Sequence, residues 1–476
     1  MTAGLMKKYR LLALVLLICF AGNSFAAPHT LPDPDRLRYP PLHFNPPQAE
    51  RIVLSNGMIL YILEDHELPL INIHSVLKTG AYFDPDGKEG LADLTGTVMR
   101  TGGTETMSGG AIDEILESLA INLSISAQME STSISFSSLK SNLDRGMKIL
   151  SQIVMQPAFA EDKLQLAKNL KIEELIRIPD DPQQFAFWKF NQALYRGNPR
   201  GRLPSVRSVG NIKRIDLVSF HGRFFNPENM MFAVTGDITK NETLNLFQKY
   251  FGAWQQKGKM EEIPPPDRRL KGGIYLLPKD TPQSVIITGK FAPSIISPDF
   301  YPFTVLDFIL GSGGFRSRIF QEIRTNQGLA YSAGSFYRAK SRYGVFGAYA
   351  MTKSASTGKV LSYLRSLEEG VKRIPVNSGE LDWAKKSINN SFIFSFGNAE
   401  QIARQQMMLE FDKAPLDHLI KYRDNIRKVG IEDLKRIISD YLDLTETVIL
   451  IAGNEKDFDQ TLSTFGNVEK LKIDDD

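Results

Sequence analysis

The sequence predicts an α+β protein built from two related domains, and three observations point there. Strand-like and helix-like stretches come in runs rather than in strict alternation, the pattern of helices packed on a mostly antiparallel sheet. The same succession of stretches occurs twice, on either side of a proline-rich break. Finally, 476 residues with 42% hydrophobic and 23% charged side chains can build the sizeable cores that two domains need.

The chain opens with a segment outside the fold. Lys7, Lys8 and Arg10 precede an apolar run from Leu11 to Phe20 that is too short to cross a bilayer comfortably. Ser24-Phe25-Ala26 then places small residues where a signal peptidase reads them, so residues 1–26 are expected to be a secretory signal, with an uncleaved anchor as the competing reading. The expected location is periplasmic or secreted, with no stable membrane insertion after cleavage. Cys19, the one cysteine, leaves with the signal, which removes disulfide and thiolate chemistry. Lys7, Lys8 and Arg10 account for the whole formal charge of +3. The remaining chain is neutral and has no electrostatic footprint for nucleic acid.

Residues 27–50 hold Pro28, Pro32, Pro34, Pro40, Pro41, Pro46 and Pro47 and read as an extended arm. A first domain follows at 51–256, a linker with Pro264-Pro265-Pro266 at 257–270, and a second domain at 271–476. In the first, Asn122–Ala127 and Thr132–Ser137 alternate as half-buried strands do, and a helix follows at Ser141–Met155. It closes with a helix near Ile215–Phe225, a strand at Met230–Thr235, and Gly236-Asp237. The second repeats the plan: strands at Tyr331–Tyr337 and Val345–Met351, a helix over Gly358–Val371, another at Ile431–Tyr441, a strand at Thr447–Ala452, and Gly453-Asn454. Gly311-Ser312-Gly313-Gly314 lacks the Lys-Ser/Thr of a phosphate loop and reads as a tight turn before a Phe315–Ile323 helix.

Several ordered segments carry a family resemblance. Leu54-Ser55-Asn56-Gly57 leads into a strand, Gly80-Ala81-Tyr82-Phe83-Asp84-Pro85 precedes Gly90-Leu91-Ala92, and Gly313–Phe320 precedes Glu322-Ile323-Arg324 and Gly328-Leu329-Ala330-Tyr331-Ser332. In this order they resemble the insulinase/pitrilysin metallopeptidases over nearly the whole mature chain, in their two-domain, processing-peptidase-like form. The resemblance implies a clamshell half, and an inverted zinc motif, H-x-x-E-H, on the helix after Gly-Leu-Ala. There, two histidines four apart share a helical face and one metal, with the glutamate as general base.

This sequence has none of those three. Asp93 stands at the first histidine, Gly96 at the glutamate and Thr97 at the second histidine. The six histidines (His29, His43, His66, His74, His221 and His418) include no pair three to five residues apart. Glu174 matches the family's third ligand and shares a face with Ala167 and Leu170, an inward orientation, although a solvated glutamate is the simpler reading. The helix itself has structural reasons to persist. Asp86 is placed to cap it, with Glu89 three residues later, and Leu91, Leu94, Val98 and Met99 form its apolar stripe before Gly102-Gly103.

The second half keeps a different constellation. The resemblance implies that Arg324 and Tyr331 reach a bound peptide, and a guanidinium and a phenol are apt donors to a carbonyl or oxyanion, with Arg318 flanking the same cleft. The expected role is a non-catalytic subunit that completes the substrate site of a homologous zinc-bearing metallopeptidase. This chain would hold no cofactor and no catalytic residue of its own; zinc would sit in the partner, and a peptide would be the substrate. A non-hydrolytic peptide-binding or scaffold protein is the alternative, and an autonomous peptidase with atypical ligands a second one.

Overall fold

A computed structural model describes residues 45–255, 261–267 and 272–472. The signal read at 1–26 and the arm up to residue 44 lie outside the described residues, as does much of the 257–270 linker.

The described residues form two six-stranded sheets. The first contains β1 (Glu50–Val53), β2 (Ile59–Glu64), β3 (Leu70–Leu77), β4 (Asn122–Ala127), β5 (Thr132–Leu139) and β6 (Met230–Gly236), in the order β1-β2-β6-β3-β5-β4. The second contains β7 (Gly273–Pro278), β8 (Gln283–Ala292), β9 (Ala330–Ala339), β10 (Gly344–Lys353), β11 (Val448–Gly453) and β12 (Val468–Lys470), in the order β12-β7-β11-β8-β10-β9. Five strands correspond one for one. β2 and β6 pair parallel, as do β7 and β11, and the other shared pairings are antiparallel. The outer strands break the symmetry, because β1 runs antiparallel to β2 whereas β12 runs parallel to β7. The chain is thus an α+β protein containing one plan twice, as the repeated succession predicts.

The strand pattern explains which faces are buried. β5 alternates, with Thr132, Ile134, Phe136 and Ser138 inward. β6 lies deeper in the sheet and is buried on both faces, so its sequence Met230-Met231-Phe232-Ala233-Val234 is continuously apolar. Phe232 and Val234 join the main core, while Met231 and Ala233 face the other way.

Five α-helices cover these sheets and frame the candidate site: α1 (Leu91–Thr101), α2 (Glu161–Arg177), α3 (Pro182–Leu194), α4 (Thr357–Arg373) and α5 (Ala399–Phe411). α1 and α2 belong to the helical layer of the first half, and α4 lies on the second sheet against β10. α3 and α5 are exchanged. α3 follows β5 in sequence but packs on β11, β8 and β7 of the second sheet. α5 follows β10 but packs on β6, β2 and β3 of the first. Each sheet therefore has one face covered by its own helices and the other by a helix from the opposite half.

The exchange is specific. Ala403 and Met407 of α5 pack with Tyr61, Val76, Met231 and Ala233. Glu410 accepts from Arg51 Nε (2.6 Å) and Nη2 (2.7 Å) and from the Tyr61 hydroxyl. Gln406 accepts from the Ala49 amide (2.9 Å) and donates to the Pro47 carbonyl (2.8 Å), pinning the end of the proline-rich arm. His74 Nε2 meets Glu400 at 2.7 Å. On the other side, a Cβ on Gly289 of β8 would lie 2.3 Å from Cζ of Phe190 on α3. Only a glycine lets that buried ring seat against the second sheet.

Phe190→Ala should cost about 3–5 kcal/mol by leaving a cavity between the halves. Gly289→Ala should cost about 1–3 kcal/mol by overpacking. The double variant should lose less than the sum, since the added methyl then occupies vacated space. Urea unfolding of the four proteins measures the coupling.

Candidate functional site

The helix that carries the zinc motif in the resemblance is α1. Gly90 precedes it in the left-handed region (φ 102°) and contributes no capping side chain. The cap is Asp84, whose carboxylate accepts from the amides of Gly90 (2.8 Å) and Ala92 (2.9 Å). This corrects the expectation that Asp86 caps with Glu89. Asp86 pairs with Arg202, and Glu89 accepts from the Gly87 amide at 3.1 Å. The short turn at Ala81–Phe83 brings Asp84 beneath the first turn of α1 and buries it. Burial pushes its carboxyl up to about 7, against the pull of the two amides and Arg202.

Leu91, Leu94, Val98 and Met99 are buried along α1, as the apolar stripe requires. Gly96 is buried too, facing the edge strand β4. A Cβ there would lie 3.1 Å from Cγ2 of Ile125, tighter than ordinary packing. A side chain at the position of the family's general base would press on an edge-strand isoleucine. Thr97 is half-buried, and its carbonyl accepts from the Thr101 hydroxyl at 2.9 Å.

Asp93 points across to α2. Its Oδ2 lies 2.8 Å from Lys171 Nζ. The same ammonium reaches both oxygens of Glu174, each at 3.1 Å. Lys171 is the best shielded of the three, with its side chain 17% exposed against 40% for Asp93 and 57% for Glu174. Burial pulls the Lys171 pKa down, but the two carboxylates outweigh it and the net direction is up. Glu174 is exposed, the solvated glutamate of the simpler reading rather than an inward-facing ligand. Leu164, Ala167 and Leu175 define the buried face of α2, and Leu170 is exposed. Sequence reading missed Lys171 altogether, although its place one turn before Glu174 was a usable signal.

This donor set does not fit zinc. A catalytic zinc is held by three protein ligands, imidazole or thiolate prominent among them, at about 2.0–2.3 Å. Here two carboxylates share an ammonium, and no imidazole or thiolate accompanies them. Among the described residues no three His, Cys, Asp or Glu side chains are grouped to hold a metal.

Arg324 lies in the helical segment that leads into β9, and Tyr331 lies on β9 itself, at the edge of the second sheet. The expected Phe315–Ile323 helix is replaced by a 3-10 turn at Gly314–Arg316 and a π-helix at Phe320–Asn326. Arg324 sits in the last turn of the π-helix, exposed, with its guanidinium 4.9 Å from the centre of the Phe320 ring. Gly328 follows with φ 62°, the left-handed residue expected after that helix. Tyr331 opens β9, is 55% exposed, and directs its hydroxyl to Met351 Sδ at 3.1 Å.

No hydrogen bond, ion pair or ring contact joins the two side chains, and none links either of them to Asp93, Thr97 or Glu174. Arg318, expected to flank the same cleft, is engaged by structural partners. It is held by both oxygens of Glu380 (2.7 and 2.8 Å) and by the carbonyls of Ile374 (2.9 Å) and Pro375 (3.3 Å). Its bidentate geometry is that of a structural clamp.

Two outcomes are expected. Gly96→Glu should destabilise by about 1–3 kcal/mol through crowding against Ile125, and Ile125→Ala should recover part of that loss in a double-mutant cycle. Asp84 keeps its proton to higher pH in the folded chain than in the unfolded one, so it makes stability fall as pH rises from 3.8 towards about 7. Asp84→Asn should remove that contribution, flattening the profile of unfolding free energy across this window.

Two family descriptions match the chain: the insulinase peptidase family M16 over residues 64–203 and the M16 inactive domain over residues 211–388. A Rickettsia bellii protein named an uncharacterized zinc protease is 26% identical over 345 residues, 71% of this chain and 81% of its own length. The Helicobacter pylori non-peptidase homolog YmxG is 25% identical over 398 residues, 83% of this chain and 91% of its own. Among solved structures, an M16 inactive domain from Pseudomonas fluorescens superposes with a TM-score of 0.78 at 22% identity, covering 85% of this chain and 98% of that one. The periplasmic protease PqqL of Escherichia coli superposes with a TM-score of 0.71 at 15% identity, covering 93% of this chain and half of PqqL. These superpositions establish the fold, and the sequence matches establish the lineage. The chain belongs to the insulinase (M16) peptidase family, as a member without the zinc-binding motif.

Proposed function

We propose that this chain is a non-catalytic subunit that completes the substrate site of a secreted or periplasmic metallopeptidase, with zinc carried by a homologous partner. One contrast carries the reading. On the α1 side Lys171 sits between Asp93 and Glu174 and Ile125 lies close against Gly96, whereas Arg324 in the π-helix and Tyr331 at the start of the edge strand β9 stand exposed. A guanidinium and a phenol can donate to a peptide carbonyl and to the oxyanion that forms when water attacks it. β4 and β9 are both edge strands, and an extended peptide can add to such an edge through main-chain hydrogen bonds. In this role the chain binds and orients, and the partner supplies the activated water. No helix among the described residues is long and apolar enough to cross a membrane, which agrees with a partner working outside the bilayer.

A peptide-binding or scaffold role without hydrolysis is the second reading, favoured by the name non-peptidase homolog given to the Helicobacter pylori relative. The two readings part on turnover. In a complex reconstituted with a zinc-bearing homologue from the same cell, Arg324→Ala with Tyr331→Phe should lower peptide turnover by about 10²–10³-fold while assembly by size exclusion is unchanged. Undiminished turnover rejects the site-completing role. Peptide binding by the chain with no hydrolysis by any homologous pair supports the scaffold reading.

A further inference from the structure

We infer that Lys171 is a built-in replacement for the metal: its ammonium ties α1 to α2 through Asp93 and Glu174 and keeps divalent cations out of the space between them. Three observations combine. The ammonium has three donors, and three carboxylate oxygens lie within reach, Asp93 Oδ2 at 2.8 Å and both Glu174 oxygens at 3.1 Å. The ammonium is the shielded partner, since the Lys171 side chain is 17% exposed against 40% for Asp93 and 57% for Glu174. It also crosses between elements, with Asp93 on α1 and Lys171 and Glu174 on α2, two helices packed against each other.

A metal bridging Asp93 and Glu174 would have to displace the ammonium from both carboxylates and then tolerate its positive charge close by. The histidine loss is therefore only half of the change. Asp93 and Thr97 are four apart on one helical face, so imidazoles at those positions would converge as a zinc pair does. With Glu174 as third ligand the set would be complete, except that Lys171 holds Glu174. The inference concerns the chain alone and does not depend on the partner proposed above.

The test starts from the purified full-length variant D93H/T97H, with and without K171A, titrated with zinc chloride against a chromophoric chelator. Zinc should bind roughly 10–100-fold more tightly when Lys171 is removed, the size of effect that neighbours of metal ligands exert. Equal affinity with and without Lys171 overturns the inference. So does a native chain that takes up one equivalent of zinc and loses it on D93N. Should the triple variant fail to fold, amine labelling of milder variants decides the matter. Lys171 should be protected from an acylating reagent in the native chain and should lose that protection in D93N and in E174Q. Labelling as rapid in the native chain as in both variants also overturns it.

Discussion

The fold depends on an exchange of cover. Each sheet is apolar on both faces through its central strands, yet each half brings helices of its own to only one of them. The second face of the first sheet is closed by α5, and that of the second by α3. Burying a phenylalanine, leucine or methionine is worth about 1.5–3 kcal/mol, so a bare sheet face would forfeit far more than the net stability of a typical domain. The halves are consequently not separable bodies joined by a linker. Val448 and Leu450 of β11 share one continuous core with Leu60 and Ile73 of the first sheet, and the ring of Phe190 lies where they meet.

That rigidity is what keeps a former metal helix in place without metal. α1 retains its apolar stripe, its left-handed Gly90 and its buried cap Asp84. Its outward chemistry has been rebuilt around a salt bridge to α2. Exposed ion pairs contribute about 0–1 kcal/mol, whereas pairs shielded from water are held in more definite geometry and cost more to break. The Lys171 contact lies between these limits. Its weight is positional, because it fixes two helices that the family otherwise joins through an ion. The second sheet shows the opposite balance. Arg318 is consumed by structure, while Arg324 and Tyr331 remain presented to solvent.

Much of this was legible in the sequence, for identifiable reasons. Long amphipathic helices and alternating strands carry a strong period, so Ile431–Tyr441 matches its expected span and Ser141–Met155 begins only two residues late. The duplication was legible because turn chemistry recurs with it. Local geometry was less so. Asp84 and Asp86 are both plausible caps in one dimension, and only the turn at Ala81–Phe83 selects between them. The π-helix at Phe320–Asn326 has no sequence signature that separates it from an ordinary helix. The emptied zinc motif was plain from Asp93, Gly96 and Thr97. Its occupant was not, since Lys171 is unremarkable until α2 is laid against α1. The exchange of α3 and α5 has no period to betray it, because a helix that covers a foreign sheet has the same apolar face as one that covers its own.

The exchange also bears on how such a chain could arise. A single ancestral repeat would carry a helix suited to a sheet it did not possess, and a sheet lacking a cover. Two separate copies resolve this by clasping, each lending its helix to the other, as a domain-swapped pair with two-fold symmetry. Fusing the copies through a proline-rich connection turns that meeting into an intramolecular one at high effective concentration. From then on the halves could diverge. One could lose the residues of the zinc motif and the other keep Arg324 and Tyr331 presented to solvent, because the clasp holds both halves in place.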